Sequence, residues 1–173
     1  MRKFALLPLA AAWVFLTGCG YHTLGSATHL PVDVRTLSIP VFATRSEAYH
    51  TETVMTQAVI REFAARTRLR VTPSSSGSPD ATLHGTILQQ TVVPLTYNTT
   101  TEQSSSFLIT IVVSVTLTGQ DGRVLYENKN YVFRQQYQST TDLASFIDES
   151  PAAEERLSRD FARSLVADVL ESL

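Results

Sequence analysis

Few residues of this chain are arranged for catalysis. The four histidines are His22, His29, His50 and His84, and none lies four residues from another, as two metal ligands on one helix face would. The sequence contains no G-x-S-x-G nucleophile motif, no phosphate-binding loop and no dinucleotide fingerprint. We therefore expect no enzymatic activity, no metal site and no cofactor.

The residue best placed for chemistry is the single cysteine, Cys19. One cysteine excludes an internal disulfide and a zinc site built from several thiolates. It follows two basic residues, Arg2 and Lys3, a charge-free apolar run at 4–16 and the tripeptide Leu-Thr-Gly, an arrangement that resembles a bacterial lipoprotein signal. The apolar run is too short for a membrane-spanning helix, which needs about 20 residues. We expect the thiol of Cys19 to receive a diacylglyceryl group.

Cleavage before Cys19 would remove residues 1–18 and free an amine for acylation, for instance with palmitate. Three acyl chains bury far more methylene groups than the single chain that gives only marginal anchoring, so attachment should be permanent. Gly20 follows the cysteine, and in enterobacterial lipoproteins an aspartate there retains the protein in the inner membrane. We expect a lipid anchor in the outer membrane, on its periplasmic face. A secretory signal followed by a chance cysteine is the alternative.

The composition indicates one compact domain with few charges. Of 173 residues, 43% are hydrophobic and 17% are charged, with 14 basic and 16 acidic side chains. The hydrophobic fraction excludes wholesale disorder, and the charge balance excludes a surface for bulk nucleic-acid binding. We assign residues 1–18 to a signal peptide, 19–34 to a lipidated N-terminus and tether, and 35–173 to a single domain.

The most regular pattern lies between Phe107 and Thr118. Every odd position is apolar and most even positions are Ser or Thr, which predicts an antiparallel strand with one buried face. The sequence Gly-Gln-Asp-Gly at 119–122 predicts a hairpin turn into a second long strand, 123–138, with a bulge at 128–130. A third strand is predicted at 81–95, with a bulge or bend near Gln89 and Gln90 because the parity of its apolar residues changes there.

Two amphipathic helices and a first strand complete the predicted domain. One helix is expected from Thr51, its N-cap, to about Thr67, and the other begins at Ser150. The first strand, 36–42, contains Pro40 and should be irregular or lie at an edge. The expected core joins the odd positions of 107–117 to two helical stripes: Met55, Val59 and Phe63, and Leu157, Phe161 and Leu165. Together these patterns predict an α+β two-layer sandwich, with two helices on one face of a mainly antiparallel four-stranded sheet.

The lipoprotein signal and the order of elements resemble one known family. The signal running into Cys19-Gly-Tyr-His, the segment Thr36-Leu-Ser-Ile-Pro-Val-Phe and the order strand, helix, three long strands, helix are similar to LptE. LptE is the outer-membrane lipoprotein that partners the barrel protein LptD in lipopolysaccharide assembly. The resemblance implies a non-enzymatic protein that supports assembly of the LptD barrel, plugs it, and contacts lipopolysaccharide on its way to the outer leaflet.

The sheet face turned away from the helices is consistent with that resemblance. It is predicted to carry Thr, Ser and Gln rather than Lys and Glu, with Gln90, Gln135 and Gln136 among its residues. A neutral, hydrogen-bonding face suits the polar lumen of a large barrel. An ordinary exposed strand surface is the alternative, because threonine is favoured in strands.

The resemblance also directs attention to cations, because lipopolysaccharide carries phosphates. Arginine holds phosphate through paired, charge-assisted hydrogen bonds, and the candidates near strand ends or within strands are Arg35, Arg123, Lys129 and Arg134. Of these, Arg123, Lys129 and Arg134 are expected to act together. A cross-strand pair with Glu102 or a solvated edge position would explain each cation without a ligand. A periplasm-facing lipoprotein that binds a small ligand, or an adaptor in another envelope complex, stays open as an alternative to the LptE-like function.

Overall fold

The computed structural model describes residues 34–46, 50–73, 77–98, 103–140 and 147–172. Within these ranges the chain forms seven strands and two helices. In chain order they are β1 (Thr36–Ser38), β2 (Ala43–Thr44), α1 (Thr51–Arg66), β3 (Arg70–Thr72), β4 (Ala81–Asn98), β5 (Gln103–Gly119), β6 (Val124–Thr140), β7 (Ile147–Asp148) and α2 (Ser150–Ser172).

The sheet is mixed: its short first strands pair in parallel, and its long strands pair antiparallel. Its strands lie in the order β3-β1-β4-β5-β6-β7, and β2 pairs with β4 beside β1. β1 runs parallel to β3 and β4, whereas β4 to β7 are antiparallel neighbours. The predicted α+β class with two packed helices is confirmed. The predicted count of four strands is wrong, because β2, β3 and β7 have only two or three residues and show no measurable alternation.

β5 forms the centre of the hydrophobic core. Its odd-numbered side chains from Ile109 to Leu117 are at most 2% exposed. The predicted helical partners are also buried in the same cluster: Met55, Val59 and Phe63 of α1, and Leu157, Phe161 and Leu165 of α2. The predicted core is therefore confirmed. Only Phe107, beyond the helices, is partly exposed, and its ring stacks on Tyr137 with centroids 5.4 Å apart.

An aromatic cluster around Phe161 joins α2 to the sheet. Its ring meets those of Phe42, Tyr131 and Phe133 edge to face, with centroids 6.1, 5.7 and 5.5 Å away. Phe42 in turn lies on Gly85 of β4, where an added Cβ would be 2.5 Å from the ring. Glycine is therefore required at this position because the aromatic ring occupies the space of a side chain.

Two predicted details near the first strand and first helix are wrong. α1 has His50, not Thr51, at its N-cap; His50 adopts φ 67°, and its carbonyl accepts hydrogen bonds from the N–H groups of Thr53 and Val54. The first strand ends at Ser38, two residues before Pro40, which cannot donate a ladder hydrogen bond.

The break at Pro40 also changes which side chains of the first segment are buried. Leu37 and Ile39 are buried, as their parity predicts, but Val41 is 58% exposed and Phe42 is buried in its place.

Both predicted bulges are confirmed. The pairing of β4 with β5 shifts register between Ile87 and Gln89, and the pairing of β5 with β6 shifts between Val113 and Val115. The second shift leaves Lys129 and Asn130 together opposite one residue of β5, at the position that the sequence predicts.

Asp80 fastens the start of β1 to the start of β4. One carboxylate oxygen, Oδ2, accepts hydrogen bonds from the N–H groups of Arg35 and Thr36 and from the Thr36 hydroxyl, at 2.9, 2.8 and 2.8 Å. These bonds, first of all the one from the Arg35 N–H, hold the pKa of Asp80 below its ordinary value of 3.8. The Asp80 carbonyl also accepts from the N–H of Gln120 at 2.8 Å, which joins this corner to the β5–β6 turn.

Replacing Phe161 with Ala should destabilise the protein strongly. The side chain is fully buried among three rings, so its truncation leaves a cavity and should cost about 3–5 kcal/mol of unfolding free energy. Urea unfolding followed by circular dichroism measures the loss. The matched control is Phe107→Ala, whose partly exposed ring should cost clearly less; equal losses would contradict the central role of Phe161.

The Asp80 network should make stability depend on pH. Because the folded-state pKa of Asp80 is lowered, its contribution is present above the unfolded-state value and is lost as pH falls through the folded-state value. We expect Asp80→Asn to lower the urea midpoint at pH 7 and to match the parent at a pH well below 3.8. Asp160→Asn, an exposed change on α2, is the control and should track the parent at both pH values. A parent–variant difference independent of pH would contradict the prediction.

Candidate functional surface

One face of the sheet carries no helix in the described ranges, and we call it the outer face. Side chains alternate along β5, so its even-numbered residues point away from the buried core. They are partly exposed and uncharged: Leu108, Thr110, Val112, Ser114, Thr116 and Thr118. The centre of the outer face is therefore neutral, with hydroxyl groups interspersed with two apolar side chains.

The neighbouring strands extend this face on both sides. On β4 the residues opposite the outward side chains of β5 are Thr82, His84, Thr86, Gln89, Thr91 and Val93. On β6 they include Val132, Arg134 and Gln136, and the amide of Gln136 donates a 2.7 Å hydrogen bond to the Ser106 hydroxyl. The prediction that Gln136 lies on this face is confirmed by the register.

Two other glutamines predicted for the outer face lie on the opposite one. Gln90 pairs with Ile111 and Gln135 with Ile109, so both share the face of the sheet that the helices cover. For Gln90 the cause is the bulge after Ile87, which reverses the parity of β4 from Gln89 to Pro94, where the register shifts again. Gln135 has the same parity as Tyr131, Phe133 and Tyr137 of β6, so its side chain lies on the same face of the sheet as theirs.

Gln90 takes part in a polar contact where both helices begin. Its side chain and the Thr51 hydroxyl hydrogen-bond to the carboxylate of Glu154, and the Thr51 oxygen lies 3.5 Å from Glu154 Oε2. Burial raises the pKa of Glu154, and the two hydrogen bonds partly offset that rise. This contact links β4 to both helices.

A second buried polar contact, between Tyr131, Tyr126 and Asp168, ties β6 to α2. The Tyr131 hydroxyl donates to Asp168 Oδ2 at 2.5 Å and also contacts the Tyr126 hydroxyl. Burial, together with the bond to Asp168, raises the pKa of Tyr131 far above its ordinary value of 10.0. The phenol is therefore held protonated as a hydrogen-bond donor, which fits a structural role. No local pattern in the sequence indicated this contact, because Asp168 is 37 residues from Tyr131.

Two of the three predicted phosphate-binding residues lie on or beside the outer face. Arg134 is exposed and stands opposite Thr110. Lys129 lies in the bulge of β6 and forms an ion pair with Glu127, with Nζ and Oε2 3.3 Å apart. The lysine side chain is 76% exposed, so this pair is worth little to stability and can exchange for another anion.

The third predicted residue, Arg123, lies just before β6, at the β5–β6 turn. It follows the β5–β6 turn, where its N–H donates to Asp121 Oδ1 at 3.0 Å. The turn borders a groove of about 520 Å³ whose lining is Val34, Asp80, Gly119, Gln120, Asp121, Arg123 and Leu125. At about 3.3 Å per residue, Arg123 is roughly 35 Å along the strand from Arg134. The three cations are therefore spread along β6 and its turn and do not form one pocket.

Toward the other end of the long strands, four exposed apolar side chains lie near Arg134, and the sequence did not single them out. Val92, Val93 and Leu95 of β4 are each 46–49% exposed, and Val132 of β6 is 38% exposed. Val93 and Val132 lie on the outer face, opposite Leu108 and Val112 of β5, and this position explains their exposure.

Three features that the sequence predicted lie outside the described residues: Cys19, the signal segment and Glu102. Within the described ranges, no group of three or more His, Cys, Asp or Glu residues could hold a metal ion. Neither of the two described helices combines the length and the apolar character that crossing a bilayer requires.

Comparisons with known proteins agree with this architecture. A protein from Xanthomonas campestris is 17% identical, with a TM-score of 0.53 over 82% of this chain and 87% of its own. A hypothetical protein from Chlamydia trachomatis is 12% identical, with a TM-score of 0.51 over 79% of this chain and 96% of its own. These identities are low, so the likeness concerns the fold alone. No curated protein matches by sequence.

The family model for LptE, described as lipopolysaccharide assembly, matches residues 34–169. The chain therefore belongs to the LptE family of lipopolysaccharide-assembly proteins.

Proposed function

We propose that this protein is an outer-membrane lipoprotein, anchored through Cys19, that supports assembly of an LptD-like barrel, plugs its lumen and contacts lipopolysaccharide in transit. Membership of the LptE family over residues 34–169 carries the proposal. The finer steps rest on the sequence around Cys19 and on the outer face of the sheet. In this function the protein binds and positions its partners and catalyses no reaction.

The outer face is the surface that we assign to the barrel lumen. Its central strand offers hydroxyl groups and no charge, so contact between that strand and a polar wall buries no ion. The lumen of a large barrel is polar, and hydroxyl side chains can exchange hydrogen bonds with it directly or through water. The exposed apolar end of β4 adds contact area on the same long strands.

We assign lipopolysaccharide contact to the cations of β6 and its turn. Lys129 can give up its exposed pair with Glu127, and no described carboxylate lies within ion-pair distance of Arg134. Arg123 extends the same strand toward the β5–β6 turn. Because these residues are spread along one strand, we expect successive contacts with a long glycolipid.

The experiment that tests the assembly role is a pull-down of the full-length protein from detergent-solubilised outer membrane. Co-purification of a large outer-membrane barrel in a fixed ratio is the expected result. A monomer that carries only a small bound molecule in native mass spectrometry would instead support a ligand-binding lipoprotein. Recovery with a different envelope complex would support an adaptor.

Replacing Cys19 with Ser should abolish lipid attachment. A serine hydroxyl offers no thiol for diacylglyceryl transfer, so we expect an uncleaved or soluble species and no incorporation of a fatty-acid analogue. Metabolic labelling followed by fractionation of the envelope measures both effects. Thr17→Ser, a conservative change inside the signal, is the control. Labelling of the Cys19→Ser variant at the parent level would contradict the assignment of Cys19 as the lipid attachment site.

Reversing Arg123, Lys129 and Arg134 together to Glu should weaken binding of lipopolysaccharide. The change removes phosphate donors and adds repulsion, and we expect at least about tenfold weaker binding in vitro. A matched triple reversal of Arg156, Arg159 and Arg163 on α2 should leave binding near the parent value. Both variants should still co-purify with the barrel. Unchanged binding of the β6 variant would place the contact elsewhere or on the barrel alone.

A further inference from the structure

Three exposed arginines lie together at one edge of the sheet, and none belongs to the surfaces described above. Arg68 and Arg70 belong to the segment from the end of α1 into β3, and Arg35 immediately precedes β1. Parallel pairing of β1 with β3 brings them together, and the Arg70 N–H donates to the Arg35 carbonyl at 2.9 Å. We call Arg35, Arg68 and Arg70 the arginine edge.

The arginine edge is basic within a chain that is acidic overall. Residues 61–70 contain four arginines and one glutamate, whereas the whole chain has a net charge of −2. Glu62 is already paired with Arg66, with Oε1 and Nε 2.6 Å apart. Among the described residues, no carboxylate lies within ion-pair distance of the guanidinium groups of the arginine edge. The guanidinium groups of Arg68 and Arg70 are therefore available to an external anion, and that of Arg35, which attracts the Asp80 carboxylate at longer range, is also exposed.

The position of the arginine edge determines which anion it meets. Arg35 follows Val34, the residue at which the segment leading from Cys19 enters the fold. Only 15 residue steps separate Cys19 from Val34, and even a fully extended chain of that length spans no more than about 50 Å. If Cys19 carries the lipid, as proposed above, this length limits how far the arginine edge can lie from the headgroups of the leaflet that contains the anchor.

We propose that the arginine edge binds anionic phospholipid headgroups of that leaflet and so orients the domain on the membrane surface. Guanidinium groups match phosphate oxygens through paired, charge-assisted hydrogen bonds. Basic residues next to a membrane anchor are attracted by the negative surface potential of anionic lipids, an attraction that falls off within a Debye length. Among the described residues β3 is the last strand on its side of the sheet, so no described strand separates these side chains from a flat surface.

Arginine footprinting on the full-length, lipidated protein tests this proposal without a barrel partner. The protein, with its lipid confirmed by intact mass, is reconstituted into vesicles of phosphatidylcholine alone or with about a third phosphatidylglycerol. Phenylglyoxal modification of each arginine is then followed by peptide mass spectrometry. We expect Arg35, Arg68 and Arg70 to react about fivefold more slowly on anionic vesicles. Protection should disappear near 1 M salt, where the Debye length is about 3 Å. Arg159, exposed on α2, is the internal control and should react equally on both.

Variants of the arginine edge separate direct contact from a general effect of the vesicles. In Arg68→Gln/Arg70→Gln, protection of Arg35 should fall, whereas in Arg159→Gln/Arg163→Gln it should persist. Equal reactivity of the arginine edge on both kinds of vesicle would overturn the proposal. The role of these charges would then be to prevent the edge strand β3 from pairing with a strand of another chain. Protection by lipopolysaccharide-containing vesicles but not by phosphatidylglycerol would overturn it in favour of a lipopolysaccharide site. Neither result bears on the pull-down that tests the barrel partner.

Discussion

Packing of both helices against one face of β5 is the constraint on which the rest of the structure depends. The inward side chains of β5 are almost completely buried, and they are held there by α1, α2 and the ring of Phe161. Two helices cover one face of a long, twisted sheet and leave the other open within the described residues. The chain therefore pairs an apolar core with a wide polar surface that only water or a partner can cover.

Regular, local patterns in the sequence predicted the features that depend on one strand or one helix. Alternation along 107–118 located β5 and its buried face, and the Gly-Gln-Asp-Gly turn located the hairpin. The bulge near Lys129 and the helix that begins at Ser150 were also found, because each has a signal within a few residues. The parallel pairing of β1 with β3 was not predicted, because it joins residues 34 positions apart through strands of three residues.

The errors in the candidate surface have the same origin. Placing Gln90 on the outer face required the site of the bulge to within one residue, because a single inserted residue reverses every side chain that follows. The Asp80 network joins residues 44 positions apart, and nothing in the turn around Asp80 distinguishes it from a solvated acid. The cations of β6 were identified individually, but their spacing along the strand was needed to see that they do not converge. The arginine edge could not be seen at all before the pairing of β1 with β3 was known.

The charge distribution is the reason that we propose a different partner for each of three exposed surfaces. A charged residue on the central strand of the outer face would lose its hydration in a closed lumen. β5 contains no charged residue. The β3 side of the sheet instead concentrates arginines, which gain from contact with phosphates and lose little while they remain in water. β6 lies between these extremes, with Lys129, Glu127 and Arg134 on a strand that is solvated in the isolated chain. In the function that we propose, the protein meets three environments: a lipid surface, a polar wall and a passing anionic glycolipid. We assign one surface of a single sheet to each, because adjacent strands of a sheet can differ in charge without any change in fold.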